Sequence, residues 1–490
     1  MINSAVFVLL LLAPAAAFYR HHRTLQSSQL SAPRCDAPGE DCGQEVCITD
    51  FLTAGDPEGA RKATAVYDVF PEDTESYSGY ALVNESAKNK LFFWYVPPLN
   101  QDRNAPLLIW LQGGPGSSSL FGMFSEMGPY SVDSDGSTLL PRLSSWNKEY
   151  GMIFIDNPVG AGYSYTDTED GYCTNTKVEA STQLYDLMQQ FYQVFPELLR
   201  NDLYVTGESY AGHYVPGLAF KIHEENAKID ASASSNVKLP LVGLAIGDGW
   251  IDPYTQLSAY PEMLFNIGVA DYNEKAVFSA YVSRTRQYID QGDMYDAFTV
   301  WDEMINGDIY PYPNYYHNVS GSNDYDNFMN TNSPPSLGYY YPFVTSPSTR
   351  RSIHVGDRTY GGSSGICEMN LVEDFMVSFR REMEVLMNQY KVLIYSGQLD
   401  VIIGAALTEK MLPSFNWNDR EAFTRAKKSI WRVLPTDAEV AGYVKQAGLV
   451  TQAIVRGAGH LVPFDQPERA LNLIDKWIQG SDFENIVDPV

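Results

Sequence analysis

Short, unbroken apolar runs punctuate the chain. They are KLFFWYV (Lys90 to Val96), PLLIWL (Pro106 to Leu111), GMIFID (Gly151 to Asp156), LYVT (Leu203 to Thr206), LVGLAIGDG (Leu241 to Gly249), KVLIYSG (Lys391 to Gly397) and TQAIVRGAGH (Thr451 to His460). Most end in glycine-rich turns. A run without polar alternation fits a strand buried on both faces, as in a parallel sheet covered by helices. Between the runs, stretches such as EASTQLYDLMQQFYQVF (Glu179 to Phe195) repeat apolar residues at three- and four-residue steps, which predicts amphipathic helices. Strand and helix text in alternation predicts an α/β fold.

The alternation stops after Asp252-Pro253. Residues 255–365 are richer in Tyr, Asn, Ser and Pro. There helical text, MYDAFTVWDEMI (Met294 to Ile305), passes into an evident loop, His317 to Ser336. This segment reads as an inserted, mainly helical cap between a first core part, 48–254, and a second, 366–490. The last helix, about Pro467 to Gln479, gathers Ala470, Leu471, Ile474, Trp477 and Ile478 on one face. At the other end, Ala5 to Leu12 is an apolar stretch too short to span a bilayer, followed by Ala15-Ala16-Ala17. Residues 1–17 therefore read as a secretory signal peptide, and 18–47 as a prosegment or an N-terminal arm. No later run approaches transmembrane length, so no membrane anchor is expected.

Composition narrows the function. Asp and Glu number 60 against 34 Lys and Arg, a formal charge of -26. Phosphate binding needs basic clusters, so a nucleic-acid partner is excluded. The acidity suits either simple solubility or service in an acidic compartment. In a secreted chain, Asn84-Glu85-Ser86 and Asn318-Val319-Ser320 become glycosylation acceptors. Five cysteines, Cys35, Cys42, Cys47, Cys173 and Cys367, allow up to two disulfides with one thiol left over, at least one closing a short loop within 35–47. Their spacing is not that of a zinc site and no histidine cluster accompanies them, so neither metal nor cofactor is expected.

The candidate chemistry begins at GESYAG (Gly207 to Gly212), directly after an apolar run and before helical text. That is the context of a nucleophile elbow around Ser209, although Ala211 stands at the final glycine of G-x-S-x-G. Alone, the stretch fits a structural turn equally well. Chain order supplies the support. In α/β-hydrolases a nucleophilic serine is followed by an acid and then a histidine, each at a strand end. Asp400 follows the run Val392 to Tyr395, and His460 follows Ala453 to Val455. Of the seven histidines, His21 and His22 lie in the arm, His213 and His223 in the serine's own helix, His317 in the loop and His354 near the end of the cap. His460 alone has both the order and the placement.

Several further blocks run in order through the chain: WLQGGPGSSS (Trp110 to Ser119), FIDNPVGAGYSY (Phe154 to Tyr165), GESYAGHYVP, AIGDGWIDP, YSGQLD and GAGHLVPFDQP. With them the chain resembles the serine carboxypeptidases, and most of all the vitellogenic-like ones. The resemblance implies an α/β-hydrolase fold, a mixed, mostly parallel sheet flanked by helices with a helical cap. It implies Ser209, His460 and Asp400 as a catalytic triad, and the backbone N–H groups of Gly114 and Tyr210 as an oxyanion hole. It further implies Gln112, Gly113, Glu208 and Glu126 as the clamp for a substrate's terminal carboxylate. Two departures stand out: Gln112 replaces the usual Asn, and Ser117 replaces a cysteine that is normally cross-linked. The expected activity is release of C-terminal residues from peptides at acidic pH by a monomer or homodimer in the lysosome, vacuole or extracellular space. Acyl transfer or ester hydrolysis on the same triad, or a non-catalytic binding role, are the alternatives.

Overall fold

The computed structural model describes residues 41–71, 74–309, 313–362 and 364–483. The signal-peptide reading, most of the arm and Cys35 lie outside them. Twelve strands form: β1 (Tyr77–Asn84), β2 (Asn89–Val96), β3 (Leu107–Leu111), β4 (Tyr130–Val132), β5 (Leu139–Pro141), β6 (Gly151–Ile155), β7 (Leu203–Glu208), β8 (Leu241–Gly247), β9 (Lys391–Gly397), β10 (Ser429–Trp431), β11 (Gly442–Ala447) and β12 (Val450–Val455). Ten of them make one sheet, in the order β1-β2-β6-β3-β7-β8-β9-β12-β11-β10, and β4 pairs with β5 apart from it. The six central strands, β6 to β12 in that order, are parallel to their neighbours, and both edges are antiparallel.

The central strands carry apolar side chains on both faces because both faces are covered. Along β2, Leu91, Phe93 and Tyr95 enter one core, while Phe92, Trp94 and Val96 enter the other. The first core is closed by the helices Ser181–Val194 and Ala211–Asp230, through Leu184, Met188, Tyr214 and Leu218. The second is closed by the helix Pro467–Gln479, through Leu473, Ile474 and Trp477, with Leu471 only partly buried against it. Each long central side chain removed from water on this scale contributes about 1.5–3 kcal/mol. This is the α/β-hydrolase architecture.

Between Gly247 and Lys391 the described chain adds no strand to the sheet. It forms helices instead, the longest being Tyr272–Gln291, which a capping box of Asp271 and Glu274 starts. The segment His317 to Ser336 is more than a loop. Its first residues belong to the helix Tyr315–Ser320, and Asp326 and Tyr325 accept backbone hydrogen bonds from His460 (2.7 Å) and from Val401 and Ile402 (3.1 Å each). Residues 41–47 are likewise no free arm, since Tyr80 donates to Val46 and Val46 to His354. Cys42 is disulfide-bonded. Cys47, Cys173 and Cys367 are buried free thiols, so no second bridge joins the described cysteines.

Candidate active site

Strand β7 ends at Glu208, and the next residue, Ser209, has φ +62° before the helix Ala211–Asp230 begins. A side chain in the left-handed region is strained, and such strain persists only where neighbours over-determine it. Here the Ser209 N–H donates to Gly247 O at 2.9 Å, and the Ser209 carbonyl accepts from Gly212 (2.9 Å) and Trp250 (3.0 Å). The Tyr210 side chain locks the turn from the other side, donating to Asp374 at 2.7 Å and stacking on Phe375 and His213. The result is the sharp strand-to-helix turn of a nucleophile elbow.

Opposite it runs the turn after β3. A Cβ on Gly113 would stand 2.7 Å from Ser209 Cβ and 2.7 Å from Tyr210 N, so only glycine lets the two turns meet. The turn is pinned by Asp156, which accepts from Ser118 Oγ (2.5 Å), Ser119 N (2.9 Å) and Tyr163 N (2.8 Å). The FIDNPVGAGYSY text thus serves to fasten the WLQGGPGSSS turn. Among the described residues the N–H groups of Gly114 and Tyr210 have no acceptor. Cys367 Sγ lies against the same turn, 3.3 Å from where a Gly116 Cβ would be, and is a free thiol with Cys173 as a neighbour.

Asp400 and His460 come from the ends of β9 and β12, which are neighbours in the sheet. His460 Nδ1 lies 2.9 Å from Asp400 Oδ2, and Asp400 Oδ1 accepts from Ile403 N at 3.2 Å. Both side chains are buried. Burial alone pulls the imidazole down, but the negative charges of Asp400, Asp326 and Glu126 outweigh it and hold His460 above its ordinary value. Gly459 precedes His460 because a side chain there would strike Asp326 O at 2.3 Å. The other described histidines are engaged elsewhere: His213 with Trp250 O, His223 with Tyr390, His317 with Ser322 O and His354 with Ser78 O.

A third group of side chains completes the set. Gln112 Nε2 donates to Glu208 Oε1 at 2.7 Å and reaches Glu126 Oε1 at 3.4 Å, while Gln112 Oε1 accepts from Trp110 Nε1 at 2.9 Å. All three are buried, and the remaining oxygens, Glu126 Oε2 and Glu208 Oε2, have no partner. Burial raises both carboxyls, Glu126 to about 7, and their proximity raises Glu208 further. Two such groups share a proton that belongs to the pair.

The structure therefore brings Ser209, Glu208, Gln112, Gly113, Gly114, Tyr210 and His460 to one cavity of about 570 Å³. Asp400 and Glu126 stand behind it, against His460 and Glu208. Its walls include Asp308, Asp326 and Glu368 and no Lys or Arg. Two residues near the chemistry escaped the sequence reading. Asp326 is set beside His460 by a tertiary strap. Asp248 follows β8, the strand between those of Ser209 and Asp400, and this position was its one sequence signal. Asp248, Asp400 and His460 form the one metal-capable cluster among the described residues, with ligand atoms within 4.8 Å of one another. The Nδ1 of His460 already faces Asp400, so the trio fits a hydrogen-bonded set and not a metal centre. Asn84 closes β1 half-buried, and Asn318 is exposed on its helix.

Comparison with known proteins agrees with this geometry. The family described as serine carboxypeptidase matches residues 68–480. The human probable serine carboxypeptidase CPVL is 40% identical over 450 residues, covering 92% of this chain and 93% of its own length. The venom serine carboxypeptidase of Apis mellifera is 37% identical, with 91% and 93% covered, and the vitellogenic carboxypeptidase of Aedes aegypti 36%, with 94% and 95% covered. Among solved structures, the prohormone-processing carboxypeptidase KEX1(DELTA)P from Saccharomyces cerevisiae superposes with a TM-score of 0.67 at 21% identity, covering 86% of this chain and 96% of its own; at that identity the likeness speaks for the fold. With its profile matched over most of the chain and relatives aligned along nearly their whole length, this chain belongs to the serine carboxypeptidase family.

Proposed function

We propose that the protein removes single residues from the free C-termini of peptides at acidic pH, through an acyl-enzyme on Ser209. The observation that carries this reading is the buried Gln112–Glu208–Glu126 network beside Ser209 in the cavity that also holds His460. A triad alone serves esterases and peptidases equally. A carboxyl pair that keeps a proton can donate to a second carboxylate, and a C-terminus is such a carboxylate.

In this reading Ser209 Oγ attacks the last peptide carbonyl and its proton passes to His460 Nε2. The oxyanion that forms accepts from the N–H groups of Gly114 and Tyr210. Asp400 holds the imidazole by Nδ1. His460 returns the proton to the leaving nitrogen, the C–N bond breaks and the terminal amino acid departs. Water then attacks the ester with His460 again as base, the C–Oγ bond breaks, and Ser209 recovers its proton. Gln112, Gly113 N–H and the protonated carboxyl pair hold the terminal carboxylate and fix which bond is last.

Two titrations bound the activity. The pair Glu126–Glu208 must keep its proton, which sets an upper limit. His460 must be neutral to take a proton, which sets a lower one. Asp326 and Glu126, two of the charges that raise His460, are themselves raised by burial and take up protons at acidic pH, so there the pull on the imidazole weakens towards that of Asp400 alone and the active window is a narrow bell. The acidic composition, the N-terminal apolar stretch and the two sequons support residence in the secretory route, in a lysosome, a vacuole or outside the cell. Among the described residues no helix is long and apolar enough to cross a membrane.

A fluorophosphonate probe followed by peptide mapping tests the reading. Covalent labelling at Ser209, blocked by His460→Ala, is expected. A chain that takes no label while hydrolysing peptides, or that labels and hydrolyses only esters, overturns it.

A further inference from the structure

Asp248 is fully buried, directly after β8, in a left-handed backbone conformation with φ +44°. That conformation is unusual for a residue with a side chain, and two bonds hold it. The Asp248 N–H donates to Tyr395 O at 2.8 Å, and Asp248 Oδ1 accepts from Gly397 N at 2.9 Å. Both partners lie on β9, the strand that delivers Asp400. The second oxygen, Oδ2, is buried without a partner, although Asp248, Asp400 and His460 each place an atom within 4.8 Å of the other two. Two ionised carboxylates are acceptors only and repel each other, so keeping both charged in this buried cluster is costly. Among the described residues no Lys or Arg pairs with either. The titratable groups around Asp248 are Asp400 and Tyr395 from the β9 side, His460 after β12 and Glu208 from β7, and none but His460 can supply positive charge.

We propose that Asp248 stays protonated and donates its proton through Oδ2 to Asp400, making it a positioning residue that holds the Asp400–His460 pair and moderates the basicity of the imidazole. Asp400 is the member that remains ionised, because it also accepts from His460 Nδ1 and Ile403 N. Burial and the neighbouring Asp400 charge both push the Asp248 carboxyl up, which agrees with its keeping the proton. A hydrogen bond donated to Asp400 withdraws part of the charge that stabilises the imidazolium. His460 then reaches its neutral form at lower pH, which keeps the lower limit of the active window below the upper one. This inference rests on the peptidase reading given above.

The test is the pH dependence of kcat/KM for one N-blocked dipeptide in wild type, Asp248→Asn and Asp248→Ala, with circular dichroism and Tm recorded for each. Asn donates without ionising, so the acid limb of Asp248→Asn is expected within about 0.3 units of wild type. Ala removes the donor, so its acid limb is expected to move up by about one unit with a loss of at least about tenfold near the optimum, the usual scale for a group that orients an imidazole through another residue. If Asp248 were ionised, Asp248→Asn would remove a negative charge and shift the acid limb down by a unit or more, which overturns the proposal. An acid limb in Asp248→Ala that coincides with wild type overturns it as well. Should Asp248→Ala not fold, infrared difference spectra of wild type minus Asp248→Asn decide the point: the C=O band of a protonated carboxylic acid is expected at acidic pH, and its absence sinks the proposal. A wild type with no activity on free C-termini would defeat the peptidase reading itself, a separate outcome.

Discussion

Gln112 Nε2 donates to Glu208 Oε1 at 2.7 Å, and that bond fixes one face of the carboxyl that borders Ser209. With Gln112 on one oxygen, the other is left for a proton shared with Glu126 or for a ligand. As pH rises Glu126, raised to about 7, ionises first; Glu208, raised further, keeps the last proton of the pair, and when that proton leaves the site turns from donor to anion. KM for a peptide with a free C-terminus is expected to climb roughly tenfold per unit above that point, since each pH unit of mismatch is worth about 1.4 kcal/mol. Glu208→Gln should flatten the climb. Steady-state kinetics over a pH series check this, and a KM that rises equally in Glu208→Gln contradicts it.

The close approach of Gly113 to the Ser209 turn gives a second expectation. Gly113→Ala drives a methyl into Ser209 Cβ and Tyr210 N and so displaces both turns that supply N–H groups. A lost oxyanion donor typically lowers kcat by about 10²–10³-fold. The measurement is kcat beside Tm; a variant with normal kcat shows that the two turns have slack.

Stability should fall as pH rises. The carboxyls of Asp156 and Asp326, at about 6, and Glu126, at about 7, are raised by burial, and Asp186 behaves alike at about 6. A raised carboxyl binds more protons folded than unfolded between its ordinary value and its folded one, so stability is lost as pH rises across that interval. His460, also raised, contributes stability below its unfolded value that is lost as pH rises through its folded one, in the same direction. The lowered carboxyls act oppositely: Glu262 and Asp135 are exposed and solvent-screened, and Glu225, with little exposed surface, is held down by Lys228 and Lys221. Calorimetry is expected to give a Tm several degrees higher near about pH 5 than near about pH 7.5. A Tm that increases with pH contradicts this.

Legibility in the sequence followed burial. Strands β2, β3, β6, β7, β8, β9 and β12 are covered on both faces, so their text is continuously apolar. The short β10 and half-exposed β11 carry no such run; β1 is the exception, buried along most of its length yet interrupted by Ser78 and Gly79. Ser209, Asp400 and His460 were legible because each follows a central strand. Asp326 was not, because a tertiary strap and not a strand end delivers it. Asp248 lay within a quoted block, but two carboxyls become a proton-sharing pair only through distance. The cysteine count allowed up to two disulfides; Cys42 is bonded and the three other described cysteines are free thiols, since a count carries no geometry: the backbone of Cys47 forms a β-bridge with Tyr80, and Cys173 and Cys367 are neighbours yet unbonded.

The triad should behave as a unit. Ser209→Ala and His460→Ala are each expected to lower kcat/KM by at least about 10⁴-fold with the fold intact, and the double variant to be little worse than either. Additive losses would show the two acting independently.

The central claim is that the cavity reads a free C-terminus and cleaves one residue before it. Mass spectrometry of the products from one peptide and from its C-terminal amide, at mildly acidic pH with wild type and Ser209→Ala, tests it most directly. The account predicts stepwise release of single C-terminal residues from the acid, release from the amide at least about tenfold slower, and none from either with Ser209→Ala. Equal rates on acid and amide, internal cleavage, or turnover by Ser209→Ala would contradict it.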